Sequence, residues 1–177
     1  MYESIAHITQ IDGVTKIQTV REHCRQTAQY AAESAMSVGL RNTAYLAGLL
    51  HDMGKCKRAF DDYILRSFEK KTVKRGTINH TFAGVIFVFE RYHREEESQF
   101  YANLTCEILA FAIASHHGLI DGVGSDFING YVYRLSKNRS EIDYEESYNN
   151  FLTQCANVDE LDELFRQSCD EVEHFLT

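Results

Sequence analysis

The hydrophobic positions of this 177-residue chain recur mostly at intervals of three and four residues, a spacing typical of amphipathic helices. Thr19 and Glu22 have the spacing of a capping box, which predicts a first helix that ends near Gly39. Asn42 is predicted to cap a second helix that is closed by Gly54. A third, shorter helix is predicted from its apolar positions Phe60, Ile64 and Phe68.

The rest of the chain has the same helical character. The polar, basic stretch 69–76 predicts a loop, and residues 5–17 predict a short extended segment around Asp12-Gly13. Further helices are predicted over 77–93, over 103–118 with Asn103 as cap, around 126–136, over 144–155, and from Asp159 onward. The chain contains no proline and only ten glycines. We therefore predict an all-α single domain.

Composition narrows the class of protein. A chain of this length with 44% hydrophobic residues is large enough for one domain with its own core. The net charge of −8 argues against general affinity for nucleic acid. The charge is unevenly distributed, however, because residues 55–75 are basic and the chain from Glu141 onward is acidic. The basic stretch could bind a polyanion, or both stretches could simply be solvated surfaces.

Cysteine usage and hydropathy indicate the compartment. The five cysteines form no CxxC pair, so we expect reduced thiols. No apolar run is long enough to span a bilayer, and the first ten residues lack the pattern of a signal peptide. The sequence therefore predicts a cytoplasmic protein with no membrane partner.

Five of the eight histidines are predicted to lie at helix ends or on inner helix faces, and Asp52 directly follows one of them. These histidines are His23, His51, His80, His116 and His117. One such histidine is more often an ordinary core residue than a ligand. The set suits a divalent metal site, because imidazole and carboxylate ligands bind manganese, iron, cobalt, nickel or zinc. Lys55, one turn further on, could neutralise a phosphate or be a surface lysine.

The order His, His-Asp, His, His-His on successive helices resembles the HD-domain metal-dependent phosphohydrolases. Three segments narrow the resemblance: "LAGLLHDMGKCKRAFDDYI", "INHTFAGVIF" and "IASHHGLIDG". They are similar to the HD nuclease domain of the CRISPR-associated nuclease–helicase of type I systems. The resemblance extends from about residue 7 to residue 122.

This resemblance implies an HD-domain helical bundle with a metal site in the helix core. It implies that His23, His51 and Asp52 bind a first metal ion, and that Asp52 bridges to a second. The second ion would be bound by His80, His116 and His117, and Asp52 and Lys55 would be the catalytic residues. One or two divalent transition-metal ions are expected, with magnesium as a further candidate.

The resemblance also implies a function and partners. The family cuts single-stranded DNA endonucleolytically in CRISPR interference, after an RNA-guided surveillance complex has opened the target. Its helicase domain acts in cis or in trans. Two alternatives stay open: an HD phosphohydrolase that acts on nucleotides or cyclic dinucleotides, and a non-catalytic docking module.

The sequence departs from the family pattern at one ligand. The family completes its first metal site with an aspartate on a late helix, in an apolar context that this chain lacks. Asp159, Asp162 and Asp170 are available, but Asp170 lacks the expected apolar flanking residues. We therefore expect residues 1–177 to be a single HD nuclease domain without its last helix or helices and without the following helicase.

Overall fold

The structure, a computed structural model, describes residues 2–69, 78–119 and 139–177. In these ranges a short hairpin precedes seven helices, which confirms the all-α fold class. The strands are β1 (Ile5–Ile11) and β2 (Val14–Thr19). The helices are α1 (Val20–Ala35), α2 (Arg41–Leu50), α3 (Arg58–Phe68), α4 (Ala83–Tyr92), α5 (Phe100–Ala114), α6 (Tyr144–Gln154) and α7 (Val158–Leu176). The predicted helix 126–136 and most of the predicted loop 69–76 lie outside the described residues.

The hairpin joins directly onto the helical domain. β1 and β2 pair antiparallel, and Ile11 lies opposite Val14 across the turn. Asp12 and Gly13 both have positive φ, 51° and 78°, as a tight two-residue hairpin turn requires. At the other end of β2, Thr19 and Glu22 form the predicted capping box of α1. The hairpin thereby fixes where α1 begins.

Helix α2 is the centre of the bundle. It packs against α1, α5 and α7, and its Leu46, Leu49 and Leu50 are completely buried. The apolar residues at three- and four-residue spacing explain this, because they give α2 buried positions on several sides. The helix ends at Leu50, so the residues that follow it enter the interior of the domain.

Two predicted N-terminal caps are wrong. Asn42 lies inside α2, and its backbone N–H donates instead to the carboxylate of Glu171 on α7, at 2.8 Å. Asn103 lies inside α5, where its side chain accepts from the backbone N–H of Arg94 at 2.9 Å. In both cases the asparagine bonds to a residue elsewhere in the chain, so a rule based on local spacing assigned the cap to the wrong residue.

The fourth helix is shorter than predicted. It begins at Ala83, so His80 precedes α4 and does not lie in its first turn. The backbone just before His80 bonds outside any helix, because the carbonyl of Asn79 accepts a hydrogen bond from the ammonium of Lys57 at 2.9 Å. His116 and His117 likewise follow the end of α5 in a turn. The predicted third helix and the predicted helix over 144–155 are confirmed.

All five cysteines are free thiols, and four of them are buried. Among the described helices, none is long and apolar enough to cross a membrane.

Candidate metal centre

Asp52 lies at the centre of a cluster of cationic and imidazole groups, and its side chain is only 2% exposed. Its Oδ2 atom lies 3.0 Å from Nε2 of His23 and 3.0 Å from Nε2 of His51. These two imidazole nitrogens are 3.2 Å apart. The ammonium of Lys55 lies 2.8 Å from the same oxygen. We call His23, His51 and Oδ2 of Asp52 the first donor group.

The other carboxylate oxygen of Asp52 faces a different set of histidines. Its Oδ1 atom lies 3.6 Å from Nε2 of His116 and 3.9 Å from Nε2 of His80. Nε2 of His117 is 2.9 Å from Nε2 of His80. We call Oδ1 and these three histidines the second donor group. Each group places its ligand atoms within 4.8 Å of one another, so all six residues predicted as ligands come together.

Backbone carbonyls orient three of the five imidazoles. Nδ1 of His51 lies 2.7 Å from the carbonyl oxygen of Gly48, and Nδ1 of His116 lies 2.7 Å from that of Ile113. Nδ1 of His80 lies 3.2 Å from a carbonyl oxygen two residues earlier. A carbonyl can only accept, so we assign the proton to Nδ1, and Nε2 turns its lone pair toward Asp52. Metal-binding histidines usually have such a carbonyl or carboxylate partner.

The second donor group contains two buried atoms whose hydrogen-bonding capacity is unmet. Oδ1 of Asp52 and Nε2 of His116 have no hydrogen-bond partner among the described residues. Both atoms present lone pairs, and a buried polar atom without a partner costs about 1–3 kcal/mol. A cation between them would satisfy both. This observation fits a metal ion to the donor set.

The spacing of the first donor group also fits an ion. Nitrogen and oxygen ligands bound at about 2.1 Å to one ion lie roughly 3.0–3.4 Å from one another. The separations among His23, His51 and Oδ2 of Asp52 are 3.0, 3.0 and 3.2 Å. The first donor group can therefore hold an ion without rearrangement of its side chains.

The protonation states suit metal binding. Burial by itself would raise the pKa of Asp52, but the neighbouring side chains of His116, His23 and His51 outweigh it and hold this pKa well below its usual range. Burial lowers the pKa of His80 to about 4. At neutral pH Asp52 is therefore a carboxylate anion and His80 a neutral imidazole, the states that metal ligands require.

The turn after α2 brings the two donor groups together. A side-chain carbon at Gly54 would lie 2.2 Å from the backbone oxygen of His80, so only glycine allows this approach. Lys55 is 5% exposed, so the surface-lysine alternative for this residue is wrong. The His51-to-Lys55 turn is thus a buried junction.

His7 is a neighbour of the cluster that the sequence did not reveal. It lies on β1, and its ring centroid is 4.7 Å from that of His23 at an interplanar angle of 79°. Burial is the main cause that lowers its pKa. The contact depends on how the hairpin folds back on α1, so no spacing along the chain could have predicted it.

The late aspartates lie outside both donor groups. Asp162 forms a two-pronged ion pair with Arg91, at 2.5 Å for each contact. Asp170 pairs with Arg166 on the surface of α7, and Asp159 is exposed. None of the three therefore replaces the aspartate that the resemblance leads one to expect.

The fold and the cluster define a helical protein with a histidine–aspartate centre fit for divalent metals. The family model described as HD domain matches residues 20–162, and the chain belongs to the HD domain family. This family comprises metal-dependent hydrolases. A comparison with curated proteins found no match.

Proposed function

We propose that this protein is a metal-dependent endonuclease that hydrolyses phosphodiester bonds of single-stranded DNA. The observation that carries the proposal is the position of Asp52, whose two carboxylate oxygens each face a separate set of imidazole nitrogens. A carboxylate in this position can bridge two ions, and paired ions are suited to phosphodiester hydrolysis.

The two donor groups would each hold one ion. Imidazole and carboxylate ligands favour manganese, iron, cobalt, nickel or zinc, and magnesium is a weaker candidate because histidines outnumber the oxygen ligands. When bound, such ions would activate a water and stabilise the leaving oxygen of the phosphodiester. In the overall reaction water adds to phosphorus, one P–O bond breaks, and the released deoxyribose oxygen takes up a proton.

We assign Lys55 a role toward the phosphate that is separate from metal binding. Its ammonium is buried and lies 2.8 Å from Oδ2 of Asp52, the same oxygen that belongs to the first donor group. A bound cation and Lys55 would compete for this oxygen. Lys55 would then be free to neutralise negative charge on the phosphate as the P–O bond breaks.

Two observations support a DNA strand as the substrate: the exposure of His117, and the resemblance of three sequence segments to the HD nuclease domain. His117 is exposed, so the second donor group reaches the surface, where a polymer could approach it. Arg58 and Arg66 lie on α3, the helix that follows the His51-to-Lys55 turn, and could contact backbone phosphates. From the same resemblance we propose an RNA-guided surveillance complex and a helicase, in cis or in trans, as partners in CRISPR interference.

Cleavage of circular single-stranded DNA tests the proposal, because a circle has no ends and nicking reports endonuclease action. The chain is assayed with manganese, cobalt, nickel or no added metal, beside Asp52→Ala. Asp170→Ala is the matched control, since this carboxylate lies on the surface. We expect metal-dependent nicking that only Asp52→Ala abolishes.

The same assay separates the alternatives. Hydrolysis of nucleotides or cyclic dinucleotides while the circle stays intact would replace the endonuclease proposal with a small-substrate phosphohydrolase. Metal binding without turnover of any of these substrates would favour a docking module.

A further inference from the structure

Lys57 is a buried cation for which the proposed reaction has no use. The residue is 1% exposed, and its ammonium donates to the carbonyl oxygens of Asn79 at 2.9 Å and Ile142 at 2.7 Å. It also lies 3.4 Å from a carboxylate oxygen of Asp143. Burial of an ammonium is costly unless its partners compensate for the lost water. These contacts connect two chain segments that are far apart in sequence.

The first of these segments carries His80. Asn79 directly precedes it, and neither residue belongs to a helix. The imidazole of His80 has a longer carbonyl contact, 3.2 Å, than the 2.7 Å contacts of His51 and His116. The position of His80 therefore depends more on where its backbone segment is held than on a local hydrogen bond.

The second segment is held in a strained conformation. Asp143 has a φ of 52°, in the left-handed region that residues other than glycine rarely adopt. Such strain costs about 1–3 kcal/mol and persists where surrounding contacts fix it. In this conformation the Ile142 carbonyl and the Asp143 carboxylate both contact the ammonium of Lys57. Lys57 is thus the common partner of the His80 segment and of the residues that open α6.

We infer that Lys57 is a positioning residue for His80, and that it completes the second donor group without contacting the ion or the substrate. The inference rests on the metal-binding part of the proposed function and does not depend on the substrate. Removing the ammonium should release the Asn79 carbonyl and let His80 move away from Asp52, while the first donor group keeps its geometry.

The test is titration of the full chain with cobalt(II), followed by the visible absorption of the bound ion. For wild type we expect two binding events. For Lys57→Met, which keeps the length of the side chain without the donor, we expect about tenfold or more weaker binding of one ion only. The ion affected should be the one whose absorption band His117→Ala also removes.

Glu171→Ala is the matched control. It removes a half-buried acceptor of the α2 N-terminus, also a contact between distant segments, at the end of that helix away from His51. Circular dichroism checks that each variant is folded. If Lys57→Met does not fold, Lys57→Gln, which keeps an uncharged donor, is measured in its place.

The outcomes are distinct. Unchanged binding of both ions by folded Lys57→Met would overturn the inference. Equal weakening of both ions, matched by Glu171→Ala, would also overturn it and would assign Lys57 a purely structural role. A wild-type chain that binds no cobalt would instead overturn the metal-dependent function, and the inference with it.

Discussion

The two sides of Asp52 are built differently. On the Oδ2 side, His23 lies within α1 and His51 follows directly on α2, and both imidazole nitrogens lie 3.0 Å from the carboxylate. On the Oδ1 side, His80 and His116 come from connections between helices, at 3.9 and 3.6 Å. Helix packing therefore sets the first donor group, whereas the second depends on how the connecting segments are held.

The two sides differ in charge as well. Oδ2 has an ammonium partner in Lys55, whereas Oδ1 has no hydrogen-bond partner among the described residues. The first donor group is preorganised but already partly neutralised. The second donor group has longer separations from Asp52, but it contains the buried atoms without hydrogen-bond partners in the described ranges, which a cation would satisfy. This contrast predicts separate effects for substitutions on each side.

The largest effect is expected for the residue that both sides share. Asp52→Asn replaces one carboxylate oxygen with an amide nitrogen and leaves the other as a neutral carbonyl oxygen. Neither donor group then keeps its anionic ligand. We expect no ion to remain after desalting, measured by metal analysis, and phosphodiester cleavage at background. Asp170→Asn should behave as wild type. Retention of even one ion by Asp52→Asn would show that the histidines suffice, and would end the view that Asp52 joins the two groups.

The next largest effect is expected for Lys55→Met. This change removes the cation that competes for Oδ2, so affinity for the first ion should stay the same or increase. Cleavage should nevertheless fall about 10²-fold, because charge on the phosphate is no longer neutralised. Metal analysis and cleavage are measured on the same sample. Loss of an ion along with the activity would instead assign Lys55 to building the site.

Gly54→Ala should affect mainly the second side. The new methyl group would lie 2.2 Å from the backbone oxygen of His80, so this segment must move. Overpacking of this kind costs about 1–3 kcal/mol of unfolding free energy, and the second ion should bind more weakly. Urea unfolding and cobalt titration measure the two effects. Gly39→Ala, where no atom lies within 4 Å, is a control for glycine replacement without a clash, although its positive φ adds strain.

The same contrast explains what could be predicted from the sequence. The periodic apolar residues of α2 and the capping box at Thr19 are local signals, and they located the helices that carry the first donor group. The start of α4 was misplaced because the Asn79–His80 segment before it packs closely on Gly54 and accepts a hydrogen bond from Lys57, residues that are distant from it in sequence. The His7 contact depends on the folded hairpin. Local patterns therefore predicted helices and candidate ligands, but not the contacts that position the second side.

The smallest effect is expected at a carboxylate that lies outside both donor groups. Asp162→Asn should leave binding of both ions unchanged, since Asp162 pairs with Arg91. Hydrogen bonds from Arg91 are the main reason that the pKa of Asp162 lies below its usual value. A lowered pKa in the folded state means that the stabilisation is present above the pKa of the unfolded chain, about 3.9, and is lost as the pH falls.

The stability cost of Asp162→Asn should therefore depend on pH in a defined direction. The side chain is 42% exposed, so solvent screens the pair and the cost at pH 7 should not exceed about 1 kcal/mol. Urea unfolding at pH 7, 5 and 4 should show a constant difference from wild type down to about pH 5 and a smaller one at pH 4. Loss of an ion from this variant would mean that Asp162 does take the place of the late aspartate. The metal centre would then contain a second carboxylate besides that of Asp52.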